Sequence, residues 1–267
     1  MKTDKKHNTG NKKKNKAVMI ALSIIGGILL IALIIFMFFP GLPTCIAAKC
    51  KYKHIDELPA EFEKTEVSGE KTTLQGLKML VPDGWTINEG ENGMTSADEK
   101  QSLLVLHADL KSQEQALKEL MVDPEYAYDP WDAYEKEEND YRYFFNVLNV
   151  DLPKYGLSTV FIYYIRDTFT AKSAIWLERP EREIFRELAE VKENAVDTED
   201  MWKMSGDGFK AYVGHIDNEE FGGNMWTVTI FPEENSIDNY SVTMKCSDEK
   251  TVRQIISSIE LDKKEKQ

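Results

Sequence analysis

A stretch of 23 residues without a charged side chain, 17–39, constrains this chain more than any other feature. Fifteen of these residues are Val, Ile, Leu or Phe. A helix rises about 1.5 Å per residue, so a helix of this length covers the hydrocarbon core of a bilayer, which is about 30 Å thick. The fifteen side chains favour insertion by roughly 5 to 9 kcal/mol. The sequence therefore predicts a transmembrane helix over 17–39, with the lipid bilayer as its partner.

The lysines around this helix predict its orientation. Seven lysines precede it within residues 1–16, whereas only Lys49, Lys51 and Lys53 follow closely. The excess of positive charge flanks a span on its cytoplasmic side, so we expect the N-terminus in the cytoplasm and the C-terminal domain outside, at the cell membrane. Residues 1–16 are polar and basic, which is typical of a disordered cytoplasmic tail.

The apolar stretch has two other interpretations besides an uncleaved anchor. A cleaved signal peptide has an apolar core of about 7 to 15 residues; this one is longer, and Ile46, Ala47 and Ala48 match a cleavage site poorly. A lipoprotein would be cut before Cys45, but Thr44 stands where that motif has a smaller residue. The sequence therefore favours a single-pass signal anchor.

Charge is divided unevenly between the two sides of the span. The chain has a net charge of −13 at pH 7; residues 1–16 contribute +6, which leaves −19 for the rest. A domain with that charge is repelled by nucleic acid and by anionic lipid headgroups. We therefore expect no nucleic-acid partner, and the acidic surface is expected to serve solubility.

The segment 40–53 is predicted to be a short stalk between the span and the domain, because proline and glycine at its start end the helix. It contains two of the three cysteines. Outside the cytoplasm Cys45 and Cys50 could close a disulfide loop, or the two thiols could equally stay free in a flexible stalk. Cys246 ends an alternating apolar pattern, which predicts a buried structural cysteine.

Residues 54–261 form a domain long enough for one substantial core, and 262–267 form a charged tail. Alternating apolar residues predict strands at both ends of this domain, and helical periodicity predicts a central helical insertion over about 111–200. The fold class is therefore α+β, an antiparallel sheet with helices packed on it, preceded by one transmembrane helix. The predicted strands are 77–81, 85–87, 102–110, 209–216, 225–231 and 240–246, and predicted helices follow Ser112, Pro180 and the cap Ser247.

Parts of this pattern resemble the PsbP/DcrB-like superfamily of small extracytoplasmic α/β/α domains. LKMLVPDGWTI at 77–87 contains the Pro-x-Gly-Trp turn of that group, SLLVLHADL follows at 102–110, and the last strand leads into a helix that finishes in Ser-Ser-Ile at 257–259. The resemblance covers about 66–110 and 205–261. It implies a PsbP-like binding or assembly-supporting domain of a bacterial surface protein, and it supplies no site residues.

Catalytic motifs do not occur in the sequence. GxSxG, HExxH, Walker and EF-hand patterns are missing, and no Cys/His spacing fits a metal site. His107 and His215 fall in predicted strands and could approach one another across a sheet to bind a metal or act as a base, although a hydrogen-bonded structural histidine is the simpler interpretation. We therefore predict no catalytic residues, no cofactor and no metal ligands.

Eight aromatic residues lie within 126–145, interleaved with acidic residues. Tyr and Trp offer large contact areas with a polar tip, which suits recognition of a protein or glycan. Tyr128, Trp131 and Tyr134 are therefore candidate partner-binding residues. The alternative is that these rings bury the insertion against the sheet.

Two function classes follow. The first, which the sequence favours, is a membrane-anchored extracytoplasmic binding or assembly domain without catalytic activity that recognises a protein or cell-envelope component. The second is a hydrolase-like enzyme of the cell envelope with an unrecognised site built from histidine and carboxylates. A deep pocket in which His107 or His215 meets a carboxylate would favour the enzyme. Neither class predicts the oligomeric state.

Overall fold

The computed structural model describes residues 9–90, 92–108, 143, 165–217, 223–232 and 239–262. Within these ranges the chain forms an apolar N-terminal helix, a large sheet, a small sheet and a group of helices, so the fold is α+β. The helices are α1 (Thr9–Phe38), α2 (Leu42–Lys51), α3 (Arg179–Thr198) and α4 (Glu249–Ser258), with a 3-10 turn at Ala171–Ala174. The strands are β1 (Ala60–Glu61), β2 (Lys71–Leu74), β3 (Leu77–Leu80), β4 (Trp85–Ile87), β5 (Gly93–Ser96), β6 (Ser102–Ala108), β7 (Asp200–Gly206), β8 (Phe209–Ile216), β9 (Met225–Pro232), β10 (Asn239–Lys245) and β11 (Glu260–Leu261).

Helix α1 contains the apolar stretch, and its window Val18–Phe38 is long and apolar enough to cross a membrane. Within the described part of the chain, none of that window is buried. Pro40 follows two residues after the helix end, where its ring and missing N–H prevent continuation. Residues 9–16, which were predicted as disordered tail, continue the helix toward the N-terminus instead, because lysine is a good helix former next to an established helix.

The large sheet has eight strands in the order β1-β7-β8-β9-β10-β6-β5-β4. The predicted antiparallel meander over β8, β9 and β10 is confirmed, whereas β1 pairs with β7 in parallel. Val105, Val242, Val228 and Val213 form one row across four neighbouring strands, and all four are buried. Alternate residues of these strands therefore build the main core on one face of the sheet.

Strand β3 lies in a separate three-stranded sheet with β2 and β11, which corrects the prediction of a single antiparallel sheet. The turn after β3 contains Pro82, which cannot donate to a ladder, and Gly84 at a φ of +77°, and it redirects the chain so that β4 joins the large sheet. Helix α4 packs into the same core as both sheets. Ser258 Oγ accepts from the Leu80 N–H at 2.8 Å and donates to the Ile255 carbonyl at 2.6 Å, which fixes the end of α4 to β3.

A second apolar cluster is formed by α2, the 3-10 turn and α3. The helix predicted at Pro180 is confirmed as α3. Phe185 and Leu188 are buried on its inner face as predicted, whereas Val191 is 38% exposed and lies outside the cluster. The buried members of the cluster are Cys45, Ala48, Tyr52, Ile55, Ile165, Phe169, Ala171, Ala174, Leu177, Phe185, Leu188 and Ala189.

The segment 40–53 is not an irregular stalk, because most of it forms α2. Pro43 lies in the first turn of this helix, where its missing N–H costs nothing. Cys45 and Ala48 face the second cluster and are buried there. The second apolar cluster therefore begins almost directly after the span.

Two further boundaries differ from the prediction. The N-cap of α4 is Asp248 rather than Ser247, since its carboxylate accepts from the Lys250 N–H at 3.1 Å. Strand β7 was missed because its apolar residues do not alternate in the sequence: Met201 and Trp202 are adjacent, and both faces of the strand are partly covered. The predicted helices over 111–142 and 144–164 lie outside the described residues.

Replacing Ile255 by alanine should lower the free energy of unfolding by about 2 to 5 kcal/mol, because its side chain is fully buried between α4 and the sheets. Urea unfolding of the full chain in detergent, followed by circular dichroism, measures the change. Val191→Ala is the matched control, since its side chain is 38% exposed, and we expect a change below about 0.5 kcal/mol. Equal effects of the two substitutions would contradict the assignment of this core.

Candidate functional site

The junction between the apolar helix and the domain is tightly packed. The Gly41 N–H donates to the Ile175 carbonyl at 3.0 Å, and Arg182 Nη1 donates to the Pro40 carbonyl at 2.5 Å. A Cβ at position 41 would overlap the backbone oxygen of Ala174, so only glycine allows this approach. The chain therefore passes from α1 into the second cluster with Pro40 held by α3 and Gly41 held by the 3-10 turn.

The two cysteines of this segment do not form the disulfide that their positions allowed. Both are free thiols, and Cys45 is buried whereas Cys50 is exposed. They lie five positions apart in α2 and therefore about 140° apart around its axis, so a bridge would require the helix to unwind. Burial raises the pKa of the Cys45 thiol above its ordinary value. Cys246 is also buried, as predicted, and its Sγ lies 2.8 Å from Gln101 Oε1.

Lys192 of α3 is an ionisable side chain with no exposed surface. Its Nζ donates to the Phe169 carbonyl at 2.6 Å. The pKa of Lys192 falls from its ordinary 10.5 to about 8, chiefly through burial; the charge of Arg166 acts in the same direction, while Asp56, Glu57 and Asp167 act in the opposite one. The amino group is therefore partly neutral near pH 8, but it faces a backbone carbonyl inside the cluster.

Arg166 links the helical group to the large sheet. Its Nη1 lies 2.9 Å from Glu199 Oε2, and its Nη2 donates to the Glu199 backbone carbonyl at 2.5 Å. Thr227 Oγ1 of β9 donates to the same carboxylate at 3.4 Å, and the Tyr212 hydroxyl of β8 donates to Asp167 Oδ2 at 3.0 Å. These contacts reach the face of the sheet opposite the main core, since Tyr212 and Thr227 alternate with its buried residues.

A cavity of about 140 Å³ lies beside this network. It is smaller than ordinary ligand pockets, which measure about 300 to 1,000 Å³. Arg166 and Glu199 in its wall are already paired with one another. Among the described residues, the Arg166–Glu199 pair therefore serves to join two parts of the fold. The remaining lining residues are Glu57, Leu58, Pro59, Val196, Asp200 and Met201.

A wider cleft of about 340 Å³ lies between the Pro-x-Gly-Trp turn and the first turn of α4. Asp248 lies in its wall, and a hydrogen bond from the Thr251 hydroxyl holds the pKa of that carboxyl below its usual value. Asp248 also caps the helix through the Lys250 N–H, so its oxygens have structural partners. No histidine lies among the described residues of the wall, which are Ser68, Gly69, Leu80, Val81, Pro82, Asp83, Trp85, Gln101, Asp248, Thr251 and Gln254.

The two strand histidines lie far apart, so they do not form the shared metal or base site that the sequence left open. His215 pairs across the ladder with Trp226, and the register continues to Leu103 on β6, four residues from His107. Strand spacings then separate the histidines by about 14 Å across the sheet and about 13 Å along it. Among the residues that the structure describes, no group of three His, Cys, Asp or Glu side chains could hold a metal ion.

Each histidine instead contacts an aromatic ring. His107 stacks on Tyr240 with ring centroids 4.4 Å apart, and His215 stacks on Trp226 at 4.1 Å. His215 Nε2 also lies 2.6 Å from Asn224 Oδ1. His215 therefore has the packed and hydrogen-bonded surroundings of a structural histidine, whereas His107 lies at an exposed position of β6 and packs on Tyr240.

The candidate partner-binding residues Tyr128, Trp131 and Tyr134 lie outside the described residues, so their role stays a prediction. Tyr143 belongs to the same aromatic run and is described. Its side chain is exposed, and its hydroxyl donates to Glu181 Oε1 at 3.3 Å, which places it beside the start of α3.

Comparison with known proteins finds no matching family model, no similar curated protein and no similar solved structure. The resemblance to the PsbP/DcrB-like superfamily therefore stays a prediction. The structure itself defines an α+β domain preceded by one helix that is long and apolar enough to cross a membrane.

Stability should depend on Lys192 above pH 8. The unfolded chain takes up this proton near pH 10.5 and the folded chain only near pH 8, so the lysine makes the fold less stable as the pH falls between these values, and the penalty is complete below 8. Its full size is on the order of 3 kcal/mol. Lys192→Met removes this proton, so the wild type should gain stability relative to the variant as the pH rises from 8 to 10.5.

Urea unfolding of the wild type and Lys192→Met at pH 8 and pH 10.5 measures this difference. The other titrating groups are common to both proteins and cancel in the comparison. Lys210→Met, at an exposed position of β8, is the control and should follow the wild type at both values. Parallel pH curves for the wild type and Lys192→Met would contradict the burial of a titrating amino group.

Proposed function

We propose that this chain is a single-pass membrane protein whose N-terminus lies in the cytoplasm and whose α+β domain is displayed outside, where it binds a protein or cell-envelope component without catalysing a reaction. The observation that carries the proposal is helix α1, whose window Val18–Phe38 is apolar and is not buried by the residues that the structure describes.

The exposure of this helix supports a lipid environment. Soluble proteins rarely leave contiguous apolar surface of more than a few hundred Å² in contact with water. Large apolar side chains from Val18 to Phe38 are exposed on all sides of the helix, so lipid is the solvent that suits them. The seven lysines before the span support a cytoplasmic N-terminus, and the strongly acidic remainder suits display in water.

A binding function is favoured over catalysis because the polar side chains of the candidate sites contact other groups of the protein. Arg166, Glu199 and Asp248 have protein partners, and His107 and His215 stack on aromatic rings on separate strands. A hydrolase needs a base or nucleophile that faces a cleft with its reactive atom free. The aromatic run around Trp131 supplies the recognition chemistry in this proposal, and the resemblance to extracytoplasmic assembly domains agrees with it.

Cys50 provides a native test of the topology. It is exposed, whereas Cys45 and Cys246 are buried, so a membrane-impermeant maleimide should label Cys50 in sealed cells that express the full chain. Cys50→Ser should abolish the labelling. In that background Thr9→Cys should react only after the cells are permeabilised, because position 9 precedes the span.

The opposite pattern, with Thr9→Cys labelled in sealed cells and Cys50 protected, would reverse the proposed orientation. Mature protein that lacks the first forty or so residues would show that the apolar helix is a cleaved signal sequence. Protein that alkaline carbonate releases from membranes would show that the helix does not anchor it.

Replacing Trp131 by alanine should weaken capture of the envelope partner by at least about tenfold and leave the fold intact. The bait is the full chain in detergent, since removal of α2 would open the second cluster. Leu106→Ala, on an exposed position of β6, is the matched control and should bind as the wild type does. Unchanged binding would contradict the role of Trp131, and loss of the unfolding transition would assign the ring to the core instead.

A further inference from the structure

We propose that Trp176 forms a second contact with the bilayer, in its headgroup region, which fixes the domain against the membrane surface. This inference rests on the proposed anchor. Trp176 is 68% exposed although it is a large aromatic residue. Its ring centroid lies 4.8 Å from that of Phe39, the last residue of the apolar stretch, so the ring lies where the chain leaves the membrane.

The length of the span sets the depth of this ring. The window Val18–Phe38 has 21 residues, which correspond to about 32 Å of helix. The hydrocarbon core is about 30 Å thick, so Phe38 reaches its boundary and Phe39 lies at the level of the headgroups. A ring in contact with Phe39 lies at the same level, within a few ångströms, for any modest tilt of the helix.

The backbone around Trp176 cannot easily move away from this position. Ile175, its neighbour, accepts the Gly41 N–H at 3.0 Å, and the Leu177 N–H donates to the Ala174 carbonyl at 3.1 Å. Gly41 also packs closely on the backbone of Ala174 in the same turn. The turn that carries Trp176 is therefore attached to the end of the span through two consecutive residues, Ala174 and Ile175.

The chemistry of an exposed indole at this level fits lipid headgroups. Tryptophan is enriched at membrane interfaces, where its apolar ring contacts the upper acyl chains and its N–H bonds to the wet headgroup layer. The outer part of the chain carries a net charge of −19, so this contact does not depend on anionic lipid. The occupant of this surface is therefore a zwitterionic bilayer, the same one that holds α1.

The test uses the full chain labelled with 5-fluorotryptophan and reconstituted in phosphatidylcholine vesicles. Trp176→Phe assigns its fluorine signal among the five tryptophans, and Phe39→Leu, which removes the neighbouring ring, should shift the same signal as an independent assignment. A nitroxide on the upper acyl chain should broaden the Trp176 signal several-fold more than the signal of Trp85. Trp85 is a suitable control because β4 lies at the edge of the sheet farthest from β7, which follows α3.

A water-soluble gadolinium chelate gives the complementary measurement. We expect the chelate to relax the fluorine signal of Trp176 less than it relaxes the signal of an indole that is fully exposed to water. Strong relaxation by the chelate, with no effect of the lipid nitroxide, would overturn the inference while the protein still resists carbonate extraction and floats with the vesicles. Loss of the protein from the vesicles would instead overturn the anchor itself, so the two failures are distinguishable.

Discussion

The arrangement of this molecule depends on the close approach of Gly41 to the backbone of Ala174. A side chain at position 41 would collide with that carbonyl, and the Gly41 N–H bonds to the next residue of the turn. This contact sets the path from α1 into α2, and α2 in turn covers the second apolar cluster. One glycine therefore determines how the apolar helix is attached to the rest of the protein.

Much of the domain could be predicted from periodicity. The strands of the meander, the helix after Pro180 and the terminal helix follow from alternation or from helical spacing, because each element buries one face in the core. The second sheet and β7 could not be found this way. The second sheet depends on the turn after β3, which redirects the chain, and a local pattern does not show where the chain goes next. Strand β7 is partly covered on both faces, so its apolar residues do not alternate.

The candidate site was less predictable than the fold. Hydropathy predicts α1, because about twenty consecutive apolar residues are typical of a helix that spans a membrane. The segment after it looked like a stalk because its burial comes from contacts with residues more than a hundred positions away, as in the bond of Arg182 to the Pro40 carbonyl. His107 and His215 gave no reliable signal, since only the strand order and register separate them. Trp176 has no sequence signal of its own, because the exposure of a single tryptophan depends on how the chain around it packs.

The immediate start of α2 after α1 limits how far the domain can move from the end of the apolar helix. A domain on a long flexible tether samples a large volume above a membrane, whereas one joined by a few clamped residues turns with its helix and stays in a thin layer. In the proposed membrane-anchored form, the domain therefore meets other molecules only close to the lipid. Collisions in that layer occur by lateral diffusion, with the domain's surfaces at a constant height and orientation.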